Sequence, residues 1–204
     1  MRGETGVSLI ELMIGLTIVG IGLVMGAPSF SEWMQNTRIR TAAESIQAGL
    51  NLARAEAIRR NAPVRFQFVD NLTSTCALST SGTNWVVNLT SSTSPASSCA
   101  SAPSTTTSPF IVQTSPIVGS ATQVTVTAGQ STVSFNGLGR QTASTNPTVA
   151  VGALTIDVAS SAGTCIAASG SLRCLRVVVS TLGQVRMCDP SVTSSGTNNG
   201  PTAC

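Results

Sequence analysis

One apolar run near the N-terminus constrains this chain more than any other feature. From Val7 to Ala27 the sequence reads VSLIELMIGLTIVGIGLVMGA, and between Leu12 and Ala27 it carries no charge. At about 20 residues the run is long enough to cross a bilayer as a helix. It does not read as a cleaved secretory signal. Only Arg2 stands before it, and Met25-Gly26-Ala27-Pro28-Ser29 is a poor match to the A-x-A-like pattern expected at a cleavage site. Glu11 interrupts the run near its start. A carboxylate at mid-bilayer costs on the order of 2.5–3.5 kcal/mol, and less near the end of a span, so an ionisable group in this place is a functional candidate by default.

The helix continues past the apolar run. Ile39, Ala43, Ile46, Leu50, Ala53 and Ala57 recur at steps of three and four and form one stripe, with Arg40, Glu44, Gln47, Asn51, Arg54 and Arg59 in loose order opposite. Asn61-Ala62-Pro63 is a stop signal. The reading is a single helix over residues 7–60, roughly 80 Å long at 1.5 Å per residue, with about 7–29 embedded in a membrane. Pro28, with Gly26 close by, is expected to kink or loosen it.

The remainder, 61–204, reads as β-structure. Strands are expected at 64–69, 85–89, 124–127, 132–135, 153–158, 175–179 and 184–187, separated by Gly, Ser, Thr, Asn and Pro clusters. Residues 91–109 are rich in Ser, Thr, Pro and Ala and read as a loop with little core to bury. Aromatics make up only 3% of the chain, so Val, Ile, Leu and Ala must build most of the core.

Charge and composition exclude several activities. Only 9% of residues are charged, and His, Tyr and Lys are absent, so all eleven cations are Arg. Without His there is no Ser-His-Asp triad, no imidazole base and no His-ligated metal. Without Lys there is no Schiff base and no phosphate-loop lysine. No catalytic residue, metal site or cofactor is expected. Six cysteines, none in a C-x-x-C pair, fit disulfides in an oxidising compartment. Fifteen connectivities are open. Spacing favours Cys165–Cys174 as a hairpin clip, Cys188–Cys204 to tie the tail and Cys76–Cys99 to close the loop between them, with one or more free thiols as the alternative.

The segment Gly6-Val7-Ser8-Leu9-Ile10-Glu11-Leu12 resembles the class III signal of type IV pilins and type II secretion pseudopilins, with Val7 where that family usually has Phe. Arg38 to Pro63, Phe135-Asn136-Gly137-Leu138-Gly139-Arg140 and the stretch from Val177 to Pro190 are similar to the FimT/GspH group of minor pilins and pseudopilins. The resemblance implies an α+β fold, a long N-terminal helix packed on a C-terminal antiparallel β-sheet or β-sandwich domain. It implies that residues 1–6 are a leader, cut by a prepilin peptidase between Gly6 and Val7, with N-methylation of Val7. Glu11 and Pro28 then serve assembly, Glu11 by pairing with the Val7 amine of a neighbouring subunit. The implied partners are other major and minor pilins, the peptidase and the inner membrane, with the β-domain in the periplasm until the subunit enters a pilus.

Two alternatives accompany that reading. A type II secretion pseudopilin shares every N-terminal feature. Some FimT-type pilins bind DNA through a Gly-Arg-x-Arg motif, and Gly183-Gln184-Val185-Arg186 matches it by half, Gln184 replacing one arginine. Arg186, Arg140 and Arg176 are the candidates for such a patch.

Overall fold

The computed structural model describes residues 8–90, 94–116, 123–192 and 202–204, apart from the side chains of 24–29. Helix α1 spans Leu9–Arg60. It begins because Ser8 is extended and its hydroxyl accepts from the Glu11 N–H (3.3 Å), so Ser8 and Glu11 occupy the first and last positions of an S-x-x-E capping signature. It ends at Asn61, left-handed at φ 49°, whose N–H donates to the carbonyls of Ala57 and Ile58 before Pro63 prevents continuation. The helix runs unbroken through Pro28.

Among the described residues eleven strands follow: β1 Val64–Val69, β2 Asn84–Leu89, β3 Ile111–Thr114, β4 Val124–Ala128, β5 Thr132–Phe135, β6 Gln141–Thr142, β7 Ser144–Thr145, β8 Thr148–Val149, β9 Leu154–Ser160, β10 Leu175–Val179 and β11 Val185–Cys188. They form an antiparallel five-stranded sheet ordered β3-β2-β1-β5-β6, an antiparallel four-stranded sheet ordered β11-β10-β9-β4, and the small β7-β8 hairpin. The seven expected strands are all present within two residues at either end, whereas β3 and the two-residue strands β6, β7 and β8 were not expected. Their sequences, such as Ile111-Val112-Gln113-Thr114, are too short to display a period.

The second half of α1 packs on both sheets. Ile39, Ala43, Ile46, Leu50, Ala53 and Ala57 are fully buried, in one core with Phe66, Trp85 and Phe135 of the first sheet and Ile156, Val158 and Val177 of the second. The helix approaches the first sheet closely at Gly49, between Ile46 and Leu50 of the stripe. A Cβ on Gly49 would stand 2.8 Å from Phe66 Cε2 and 2.9 Å from Trp85 Cε2 and Cζ2, inside the 3.5–4.0 Å of ordinary carbon contacts.

The Val64–Val69 strand is buried on both faces. The described part of 91–109 is loop, as expected, and adds Cys99 to a second small cluster with Cys76, Val69, Val86 and Ile111. That cluster covers the far side of the first sheet, so a polar, turn-rich segment gains a small apolar floor of its own. On the same side the Arg65 guanidinium is buried, donating to the carbonyls of Asn146 (2.6 Å) and Leu89 (3.2 Å), and burial pushes it down to about 10. Disulfides join Cys76–Cys99, Cys165–Cys174 and Cys188–Cys204, and no cysteine is free. The last returns the tail to β11, where the Asp189 N–H donates to the Thr202 carbonyl (2.8 Å).

Candidate assembly surface

The two halves of α1 have opposite fates. Every large apolar side chain from Leu9 to Leu23 that faces outward is 55–80% exposed. Gly15, Gly20 and Gly22 have open space where a Cβ would stand, which leaves room for another helix to approach closely. Among the described residues no helix is long and apolar enough to cross a membrane. The described part of the run, residues 9–23, is shorter than a span, and the sequence carries the apolar character on to Ala27. Gly6 and Val7 lie outside the described residues, as does the side chain of Pro28. Glu11 lies in the first turn, beside the Ser8 cap.

The two glycine motifs of the β-domain meet at the other end of α1. Gly139 (φ +73°) sits against Ile58 and Arg54, and the Arg54 Nε donates to the Gly139 carbonyl (3.1 Å). Gly183 (φ +81°) lies so close behind Gly139 that a Cβ there would collide with its carbonyl oxygen. The Gln141 N–H donates to the Thr181 carbonyl (3.2 Å), tying the two turns together. Both positions need glycine twice over, for the left-handed backbone and for the close approach. The sequence signals were already there, since a mid-helix Gly49 and two glycines in short turns each ask for a steric reason.

The arginine candidates are only partly gathered. Arg176 is half-buried and paired with Asp157 (2.6 Å). Arg140 and Arg186 are exposed, near the same pair of turns. Arg65, overlooked in the sequence as a buried group, is lost to any patch. No group of three or more His, Cys, Asp or Glu able to hold a metal is found among the described residues. A cavity of about 520 Å³ lies between the helix turn around Trp33 and strands β10 and β11, lined among others by Thr37, Arg40, Leu175, Met187 and Val192.

Residues 1–27 match the prokaryotic N-terminal methylation motif, and residues 42–183, well over half of the chain, match the type II transport protein GspH family. The chain belongs to the GspH family. That bears out the resemblance to the FimT/GspH group and makes this a structural subunit of minor-pilin or pseudopilin type, from a family that is not one of enzymes. No curated protein matches the sequence. Among solved structures the chain is similar to the type IV minor pilin FimU of Pseudomonas aeruginosa strain PAO1. In the P21 crystal form the identity is 14% and the TM-score 0.47, covering 78% of this chain and 93% of that one. In the P65 form the identity is again 14% and the TM-score 0.44, covering 74% and 93%. The structure itself has the expected α+β arrangement, a helix laid on antiparallel sheets.

Proposed function

We propose that this GspH-family chain is a minor pilin, cut by prepilin peptidase between Gly6 and Val7, N-methylated at Val7, held in the inner membrane by residues 7–29 and drawn from there into a type IV pilus that it helps to prime. The observation that carries this is the helix divided in two, one half sealed into the domain and the other exposing its large apolar side chains from Leu9 to Leu23. Burying apolar surface releases about 25 cal/mol per Å², so the bare half has a large driving force for a bilayer or for other helices. Glu11 fits the same scheme. A carboxylate taken into an apolar bundle needs a partner, and the Val7 amine of a neighbouring subunit supplies one of opposite charge, while Pro28 and Gly26 mark the place where the helix loosens within the filament.

The test is to express Glu11→Ala and Glu11→Gln in the native host and follow both membrane fraction and sheared filaments. Both variants should reach the membrane and be cut, and both should be lost from filaments. Filament incorporation at the normal level would refute the Glu11 role.

A second reading has its own support, because the matching family model is described by a type II transport protein. In that reading the subunit enters a secretion pseudopilus. A deletion strain separates the two, with lost pili and normal export for the first, and failed export with intact pili for the second.

A further inference from the structure

Two aromatic residues occupy the neck between the apolar run and the domain. Phe30 and Trp33 are 59% and 63% exposed, with ring centroids 5.9 Å apart. The chain has only two tryptophans. Trp85 is buried against Gly49 and donates from its indole N–H to Ser45 (3.2 Å). Trp33 stays mostly exposed, at the rim of the open cavity that it lines with Asn36 and Arg173. The domain takes hold of the helix just above it. Gln35 bonds to Gln123 and accepts from the Ser160 hydroxyl, and the Asn36 side chain accepts from the Arg173 N–H (2.8 Å).

The spacing along the helix decides what these rings meet. If the apolar run ends at Ala27, then at about 1.5 Å per residue Phe30 lies about 4.5 Å beyond it and Trp33 about 9 Å beyond it. The polar interfacial layer of one leaflet is about 5–7 Å thick. Helical side chains tilt back toward the N-terminus, which returns both rings toward that layer. Trp combines an apolar body with an N–H donor and is enriched at this depth in membrane proteins. The exposed Arg173 lies on the underside of the domain, at the level of Asn36. Of the other charges near the neck, Arg40 is paired with Glu44, Arg38 donates to Gln123, and Glu32 is exposed seven residues before the buried Ile39, on that side of the helix.

We propose that Phe30 and Trp33 form an interfacial anchor that sets the height of the domain above an anionic bilayer before assembly, with Arg173 facing the headgroup phosphates. This rests on the membrane reading above and adds to it a specific depth. The domain underside, eight residues or about 12 Å past Ala27, then stands about 5–7 Å above the headgroup layer, within reach of the Arg173 side chain, and entering a filament requires these rings to leave the lipid.

The experiment uses the full chain in vesicles of phosphatidylethanolamine and phosphatidylglycerol at high lipid-to-protein ratio. The Trp33 signal is wild type minus Trp33→Phe, a change at an exposed site that leaves Trp85 as the common background. Its emission should be blue-shifted, protected from aqueous acrylamide, and quenched more by lipids brominated near the glycerol end of the acyl chain than by lipids brominated near the methyl end. Arg173→Gln should weaken the shallow quenching in anionic vesicles and leave it unchanged in phosphatidylcholine. Acrylamide quenching without bromolipid quenching, in a chain that still resists alkaline extraction, overturns the anchor and leaves the membrane span standing. Release of the chain by alkali overturns both. Protection that appears only at low lipid-to-protein ratio assigns the rings to a neighbouring helix and also overturns the anchor.

Discussion

Gly49→Ala sets two terms of known size against each other. In a helix interior Ala is favoured over Gly by about 0.8–1.0 kcal/mol, so propensity alone makes the substitution stabilising. The new methyl, however, arrives 2.8 Å from Phe66 and 2.9 Å from Trp85, which must retreat by about 0.6–1.2 Å to reach ordinary contact. Neither ring has room to do so. Phe66 is fully buried and stands edge-on to Phe68 at 5.0 Å, and Trp85 is 2% exposed and held through its indole N–H by Ser45. Overpacking of this kind costs about 1–3 kcal/mol. The net expectation is a loss of about 1 kcal/mol, or a fall of about 2–4 °C in Tm for a domain of this size. The assay is urea and thermal unfolding of the oxidised full chain in a non-ionic detergent, followed by tryptophan fluorescence. Ala48→Gly, at the exposed neighbouring position, measures the propensity term in the same turn. If Gly49→Ala raises the midpoint by as much as Ala48→Gly lowers it, the close approach of helix and sheet described above is wrong.

Gly183→Ala should be worse, since a left-handed residue with a Cβ costs about 1–2 kcal/mol and the Gly139 carbonyl blocks the methyl. Limited proteolysis should then cut in the turns at 136–140 and 180–184, and equal resistance would show the clasp to be dispensable. Replacing both Cys76 and Cys99 by Ala opens a loop of 23 residues and should lower the unfolding free energy by about 3 kcal/mol. A loss under 1 kcal/mol would mean that the small apolar cluster there holds without its bridge. The Glu56 carboxyl is held below its ordinary range mainly by its hydrogen bond to Arg59, with Arg60 adding to the pull against partial burial. Its contribution is therefore complete above about pH 4.5 and is lost as pH falls through the lowered value. Glu56→Gln should flatten the acid limb of stability by a few tenths of a kcal/mol, and an unchanged limb would show that the pairing contributes nothing.

The helix and most of the strands were legible in the sequence, because each is a local property. An uncharged apolar run, a stripe at steps of three and four, and Asn61-Ala62-Pro63 as a stop act within a few residues of one another. Gly6, Glu11 and Pro28 were nominated as assembly residues for the same reason, since their spacing lies within one short segment, and their roles rest on the proposal above. The cysteine pairs were nominated by proximity in sequence, with other pairings left open. What escaped was everything that depends on distant segments meeting. Val64–Val69 alternates in sequence, but its second face is dried by Cys76, Cys99 and Ile111, which come from later segments of the chain. Arg65 looked like one more surface cation until that covering buried it. The glycines at 49, 139 and 183 are single letters whose reason is a ring or a carbonyl far away in the chain.

The sequence by itself determined that this chain carries a long helix, apolar at one end and amphipathic at the other, followed by a disulfide-bearing β-domain, because hydrophobic period and length are written locally. Only the tertiary structure decided which half of that helix the protein covers for itself. Two sheets have enough apolar surface to seal the stripe from Ile39 to Ala57, and among the described residues nothing of the chain's own covers Leu9 to Leu23.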